Sequence, residues 1–235
     1  MKYMGSKNRI AKHILPIMET KRKDGQVWVE PFVGGANMID KVDGVRIGAD
    51  KNKYLISMFK DLQDGKSFTE NITKQLYSSA RTEFNNNTTI NHSIGEIGWI
   101  GWTASFNGRF FDGGYSGGNT KRDYPAEQMR NIKKQLPNVM TVEFSYSCYK
   151  NLQIPPNSLV YCDIPYKGTK QYSTSKDFDH EEFWQWCRDM ATEGHTVFVS
   201  EYEAPSDFKC VWSGELTSFM KPSRAEKKVE KLFTI

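Results

Sequence analysis

The chain has 235 residues, 38% of them hydrophobic and 26% charged, which suits one α/β domain or one domain with a modest insertion. No run of about 18 apolar residues is present, which excludes a membrane-spanning helix. The net charge of +4 is uneven: residues 1–25 hold seven Lys or Arg against two acids, 221–231 hold five against two, and 177–203 hold eight acids against Arg188. Such asymmetry suits a polyanion bound on one face, and equally a solvated helix at each end. The polar start MKYMGSKNRI carries no apolar signal segment. Cys148, Cys162, Cys187 and Cys210 form no C-x-x-C pair and no metal-ligand spacing, so they read as reduced thiols. The expectation is a soluble, cytoplasmic protein without a metal site.

In chain order, Ser6 caps a predicted amphipathic helix over 7–20, with Ile10, Ile14, Ile17 and Met18 at helical spacing. A strand at 27–29, a glycine turn, a helix near 36–42, a strand at 45–49 and a helix over 53–63 follow. Alternation of this kind predicts a parallel, doubly wound sheet. Further strands are predicted at 139–144, 158–162 and 196–200, a crossover helix at 181–192, and an antiparallel edge pair at 208–213 and 229–234. Residues 69–137 show helical stretches without a core strand. Within them, 99–122 combines Trp99, Trp102, Phe106, Phe110, Phe111 and Tyr115 with six glycines. A glycine-rich stretch buries a regular core poorly, so it reads as an inserted recognition subdomain. Its rings either wedge beside a base or form a small local core.

Three constellations carry chemistry. In VWVEPFVGGANM a buried strand ends in Glu30, and Gly34-Gly35 open the next helix. Paired glycines let backbone approach a ligand and a helix N-terminus offers free N–H groups, although a tight structural turn explains them equally. In RIGADKNKYLI, Asp50 ends the next strand, where a carboxylate can accept both hydroxyls of a ribose or simply cap a helix. The G-x-G-x-x-G of a nicotinamide dehydrogenase is missing. In SLVYCDIPYKGT an apolar strand ends in Asp163-Ile164-Pro165-Tyr166. The Asp163 carboxylate and the Ile164 carbonyl can accept from an exocyclic amine, and Tyr166 offers a stacking face; an Asp-x-Pro turn with a packed tyrosine is the bland alternative.

KYMGSK, VEPFVGGANM, ADKNKYL and VYCDIPY, in that order, resemble the signature set of the Dam-like (D12 class) DNA adenine-N6 methyltransferases over nearly the whole chain. The resemblance implies a Rossmann-like sheet binding S-adenosylmethionine, with 1–66 and 138–235 as catalytic domain. It makes 67–137 an inserted, mostly helical target-recognition subdomain. It implies cofactor contacts at Tyr3, Lys7, Glu30, Pro31, Phe32, Gly34, Gly35, Asp50 and Asp163, and catalysis by Asp163, Ile164, Pro165 and Tyr166. The substrate expected is double-stranded DNA with a flipped adenine, read by Asn107, Arg109, Lys121 and Arg122. Ile164 departs from the proline usual in that family, keeping the carbonyl but not the fixed φ. Three other readings stay open: transfer to cytosine N4, transfer to RNA, and a cofactor-retaining DNA-binding protein without catalysis.

Overall fold

A computed structural model describes residues 1–118, 121–168, 178–217 and 227–235. Seven strands form one sheet: β1 (Trp28–Glu30), β2 (Arg46–Asp50), β3 (Glu143–Tyr146), β4 (Leu159–Asp163), β5 (Thr196–Glu201), β6 (Lys209–Thr217) and β7 (Lys227–Thr234). Their order is β3-β2-β1-β4-β5-β7-β6. The first five are parallel, and β7 runs antiparallel to both β5 and β6. The order reverses between β1 and β4, the place where open α/β sheets offer a crevice beyond the strand C-termini.

Period-two alternation sends successive side chains to opposite faces. Trp28, Leu159, Tyr161, Phe198 and Leu232 face one core, together with helices α1 (Ala11–Glu19), α2 (Lys53–Gln63), α4 (Ile94–Ala104) and α5 (Tyr124–Val139). Val29, Val160, Cys162, Val197, Val199 and Phe233 face the other, covered by Phe183, Trp184 and Cys187 of α6 (His180–Thr192). The predicted α/β class, the acid-ended strands and the antiparallel edge are all present.

Four local expectations change. The helix expected over 7–20 is split: Ser6 caps a single 3-10 turn at Lys7–Arg9, and α1 starts only at Ala11. No α-helix follows the glycine turn, because Gly34 and Ala36 both take positive φ (47° and 54°) and leave only a 3-10 turn at Ile39–Lys41. The strand expected at 139–144 begins only at Glu143 and runs to Tyr146, because α5 extends to Val139. Arg46 donates to the Asn138 carbonyl at 2.8 Å and Gln63 to the Val139 carbonyl at 2.7 Å, satisfying acceptors that a helix end otherwise leaves open.

The fourth concerns the glycine-rich stretch. Its first part is α4, buried along most of its length and closed at its start by a Ser93–Glu96 capping box. The glycines serve close packing: a Cβ at Gly98 would lie 2.2 Å from the Tyr54 carbonyl oxygen of α2, and one at Gly101 lies 2.3 Å from the Phe110 ring. Together with α3 (Lys74–Asn86) and α5, α4 shares one continuous core with the sheet. Trp99, Trp102, Phe110 and Phe111 belong to that core, Tyr115 packs half-buried against it, and Phe106 alone of the six rings is exposed. No helix of the described residues is long and apolar enough to cross a membrane.

Candidate active site

The four adjacent strands β2, β1, β4 and β5 all end in a carboxylate: Asp50, Glu30, Asp163 and Glu201. Because the strands are parallel, these acids line one edge of the sheet. Glu30 turns back along its own strand and accepts from the Trp28 indole N–H at 2.9 Å. Burial holds its pKa well above the usual carboxylate range.

Around β1 and β2 the glycine turn is folded onto two neighbours. The Gly34 N–H donates to Asp50 at 3.1 Å, and the Asn52 N–H donates to the other Asp50 oxygen at 2.8 Å. Burial pushes the Asp50 pKa up to about 6 against these hydrogen bonds. Tyr3 lies over the turn and against Trp102, with ring centroids 4.9 Å apart. A Cβ on Gly35 would sit 2.7 Å from the Tyr3 Cβ. Gly35 therefore makes room for the amino-terminal segment as well as for any ligand. Pro31 is buried, and Phe32 packs among Tyr149, Phe178 and Phe183.

At the end of β4 lies a second group. The Lys7 ammonium, 5% exposed, is 2.9 Å from Asp163 Oδ1, 3.2 Å from the Gly5 carbonyl and 3.7 Å from Glu230 Oε2. It also stands 4.4 Å from the centre of the Tyr166 ring. The Tyr166 phenol donates to the same Glu230 oxygen at 2.5 Å, and Tyr202 meets its ring edge-on. Burial works against the Lys7 charge, but Asp163, Glu230 and Glu201 outweigh it and raise its pKa. Burial also lifts Asp163 to about 6 against the pull of Lys7, and lifts Glu201 to about 7. For Tyr166, burial and then the nearby Asp163 and Glu230 charges keep the phenol protonated, as its hydrogen bond requires. Ile164 is buried in the core on the α6 side. His180 Nε2, 3.0 Å from the Pro165 carbonyl, donates to it.

Two residues of this group escaped the sequence reading. Glu230 sits in the K-K-V-E-K-L run, and only the antiparallel pairing of Glu201 with Lys231 carries it to the end of β5. Glu201 had the same signal as Asp163, an acid closing an apolar strand. The residues expected to read DNA are spread along one surface segment. Asn107 is exposed with φ of 57°, Arg109 is half-buried and Lys121 is exposed. Arg122 is exposed but engaged, donating to Glu127 through two nitrogens at 2.7 and 2.8 Å. The loop that carries Asn107 and Arg109 is closed by an antiparallel bridge between Ser105 and Tyr115, with Lys121 and Arg122 beyond it. At Gly108 it passes so near the amino-terminal segment that a Cβ there would lie 2.7 Å from the Lys2 carbonyl. Lys221 and Arg224 of the C-terminal basic run lie outside the described residues.

The glycine turn, Asp50 and Asp163 thus stand together beyond the strand C-termini at the switch point, where open α/β sheets bind their ligands. The family model described as D12 class N6 adenine-specific DNA methyltransferase matches residues 3–207, and the chain belongs to that family. Its activity is therefore methylation of adenine N6 in DNA, which sets cytosine N4 and RNA aside as targets. No curated protein matches the chain. Methyltransferases of this family generally use S-adenosylmethionine.

Proposed function

We propose that the chain transfers a methyl group from S-adenosylmethionine to an adenine flipped out of duplex DNA, with the reaction centred on Asp163. The observation that carries this reading is the Asp163 carboxylate itself. It closes β4 at the switch point and already holds one N–H donor, the Lys7 ammonium, at 2.9 Å. The residues suit a cationic donor, since the carboxylates Asp50, Asp163 and Glu201 close adjacent parallel strands at this edge. S-adenosylmethionine supplies an electrophilic methyl group on a sulfonium. Asp50 would hold its ribose hydroxyls, while Tyr3, Gly34 and Gly35 flank the methionine end, with Glu30, Pro31 and Phe32 shaping the turn.

Adenine N6 is a poor nucleophile because its lone pair is delocalised into the ring. Asp163 and the Ile164 carbonyl accept hydrogen bonds from its two N–H groups, favour a pyramidal nitrogen and aim the lone pair; as N6 takes the methyl and the sulfonium becomes a neutral thioether, the surplus N6 proton leaves to solvent. The rate gain comes from positioning and electrostatic stabilisation without a covalent intermediate. Tyr166 stacks on the extruded base and offsets part of an unstacking cost of a few kcal/mol. Residues 67–137 form the target-recognition part, with Asn107, Arg109, Lys121 and Arg122 contacting bases or phosphates and exposed Phe106 beside the vacated position. Arg122 first has to exchange Glu127 for such a contact.

The test is long-read mapping of modified bases on unmethylated DNA, offered to the protein with S-adenosylmethionine in duplex and in single-stranded form. Methylated adenines in one short duplex motif are expected. Modification of single strands alone, or at no fixed motif, would overturn the reading.

A further inference from the structure

The geometry at the end of β4 contains a conflict. An adenine that donates to Asp163 while stacking on Tyr166 needs the volume between that carboxylate and that ring. The Lys7 ammonium occupies it, 2.9 Å from Asp163 Oδ1 and 4.4 Å from the ring centre. Lys7 therefore has to withdraw when the base arrives. An ammonium this deeply buried cannot be left without an anion, because an unpaired buried charge is strongly destabilising.

The charged groups facing Lys7 are Asp163 of β4, Glu201 of β5 and Glu230 of β7. Glu201 is engaged by the N–H groups of Tyr202 at 2.8 Å and Lys167 at 3.3 Å. Glu230 is nearer: its Oε2 lies 3.7 Å from the ammonium, just outside hydrogen-bonding range, and a carboxylate has capacity for a phenol and an ammonium together. The β7 backbone is paired with Gly214 of β6 at Glu230 and with β5 as well from Lys231 onward, so the carboxylate rides on a paired strand.

Resting on the function proposed above, we infer that Glu230 is a positioning residue: it receives the Lys7 ammonium as the target adenine takes that place on Asp163, and it holds the Tyr166 ring by its phenol meanwhile. Lys7 is then a place-holder that keeps the acceptor charge-balanced until a base replaces it. The handover depends on the negative charge of Glu230, whereas the phenol needs only an acceptor. Glutamine separates the two roles, because its amide oxygen still accepts from Tyr166.

The experiment measures single-turnover methyl transfer from labelled S-adenosylmethionine to unmethylated phage λ DNA. It compares the wild-type chain, Glu230→Gln, Lys7→Met and the double variant, with donor affinity measured calorimetrically as a control for folding. Glu230→Gln is expected to slow transfer about tenfold with donor affinity unchanged, yet to change the rate by less than about twofold when Lys7 is already Met. An equal loss in both backgrounds, or no loss at all, would overturn the handover. If Lys7→Met alone is inactive, the ternary complex with DNA and S-adenosylhomocysteine decides. The ammonium bonded to Glu230 supports the inference, and the ammonium still on Asp163 Oδ1 refutes it. A wild-type chain that transfers no methyl group would instead defeat the functional reading itself.

Discussion

At the scale of single residues, Asp163 is useful only as a carboxylate, since a protonated acid loses acceptor capacity and competes as a donor. Its pKa is raised to about 6 by burial, above the ordinary value near 4. The ionised fraction therefore grows as pH rises through 6. We expect kcat/KM to fall on the acid side with an apparent pKa near 6, shared with the neighbouring Glu201 near 7. A profile flat from pH 5 to 8 would separate the rate from this cluster. Asp50 makes a different kind of contribution. Its two oxygens are held by the N–H groups of Gly34 and Asn52 at the end of β2. Asp50→Ala is expected to weaken S-adenosylmethionine binding about tenfold or more, the scale of one charge-assisted hydrogen bond or two. Calorimetric titration checks this, and unchanged affinity would place the ribose elsewhere.

At the scale of elements, the α4 helix shows how composition misleads. Glycines at 95, 98 and 101 look like loop punctuation, but their spacing of three puts them along one helix face that meets α2 and the Phe110–Phe111 pair. Gly98→Ala forces backbone apart at the Tyr54 carbonyl and is expected to cost about 1–3 kcal/mol by urea denaturation. A neutral substitution would show that the two helices have slack. The loop beyond α4 carries the other prediction. Arg109→Ala is expected to relax target preference in mapped methylation while donor affinity stays unchanged. Full retention of the motif would remove Arg109 from the interface. The strands were legible because β-branched and aromatic runs ending in an acid have few other interpretations. The helix after the glycine turn was not, since nothing in VGGANM announces a left-handed Ala36. Lys7 is expected at the site only through the resemblance, and nothing in the sequence announces its ion pair with Asp163.

At the scale of the molecule, topology explains why residues far apart in sequence act together. Four parallel strands deliver four acids to one edge, and the antiparallel β7 returns Glu230 to the same place from the far end of the chain. The amino-terminal segment closes the arrangement by placing Tyr3 on the glycine turn and Lys7 among the carboxylates. Glu230 could not be found from motif order alone, since its partners Tyr166 and Lys7 lie 64 and 223 positions away. The most direct test is made with Asp163→Ala and the wild-type chain, by nucleoside mass spectrometry of DNA incubated with isotopically labelled S-adenosylmethionine, with donor affinity measured on the same preparations. Labelled N6-methyldeoxyadenosine is expected from the wild type, and a loss of about a hundredfold or more in the variant, with donor affinity little changed. Label on another base, or a variant as fast as the wild type, would contradict the proposed reaction.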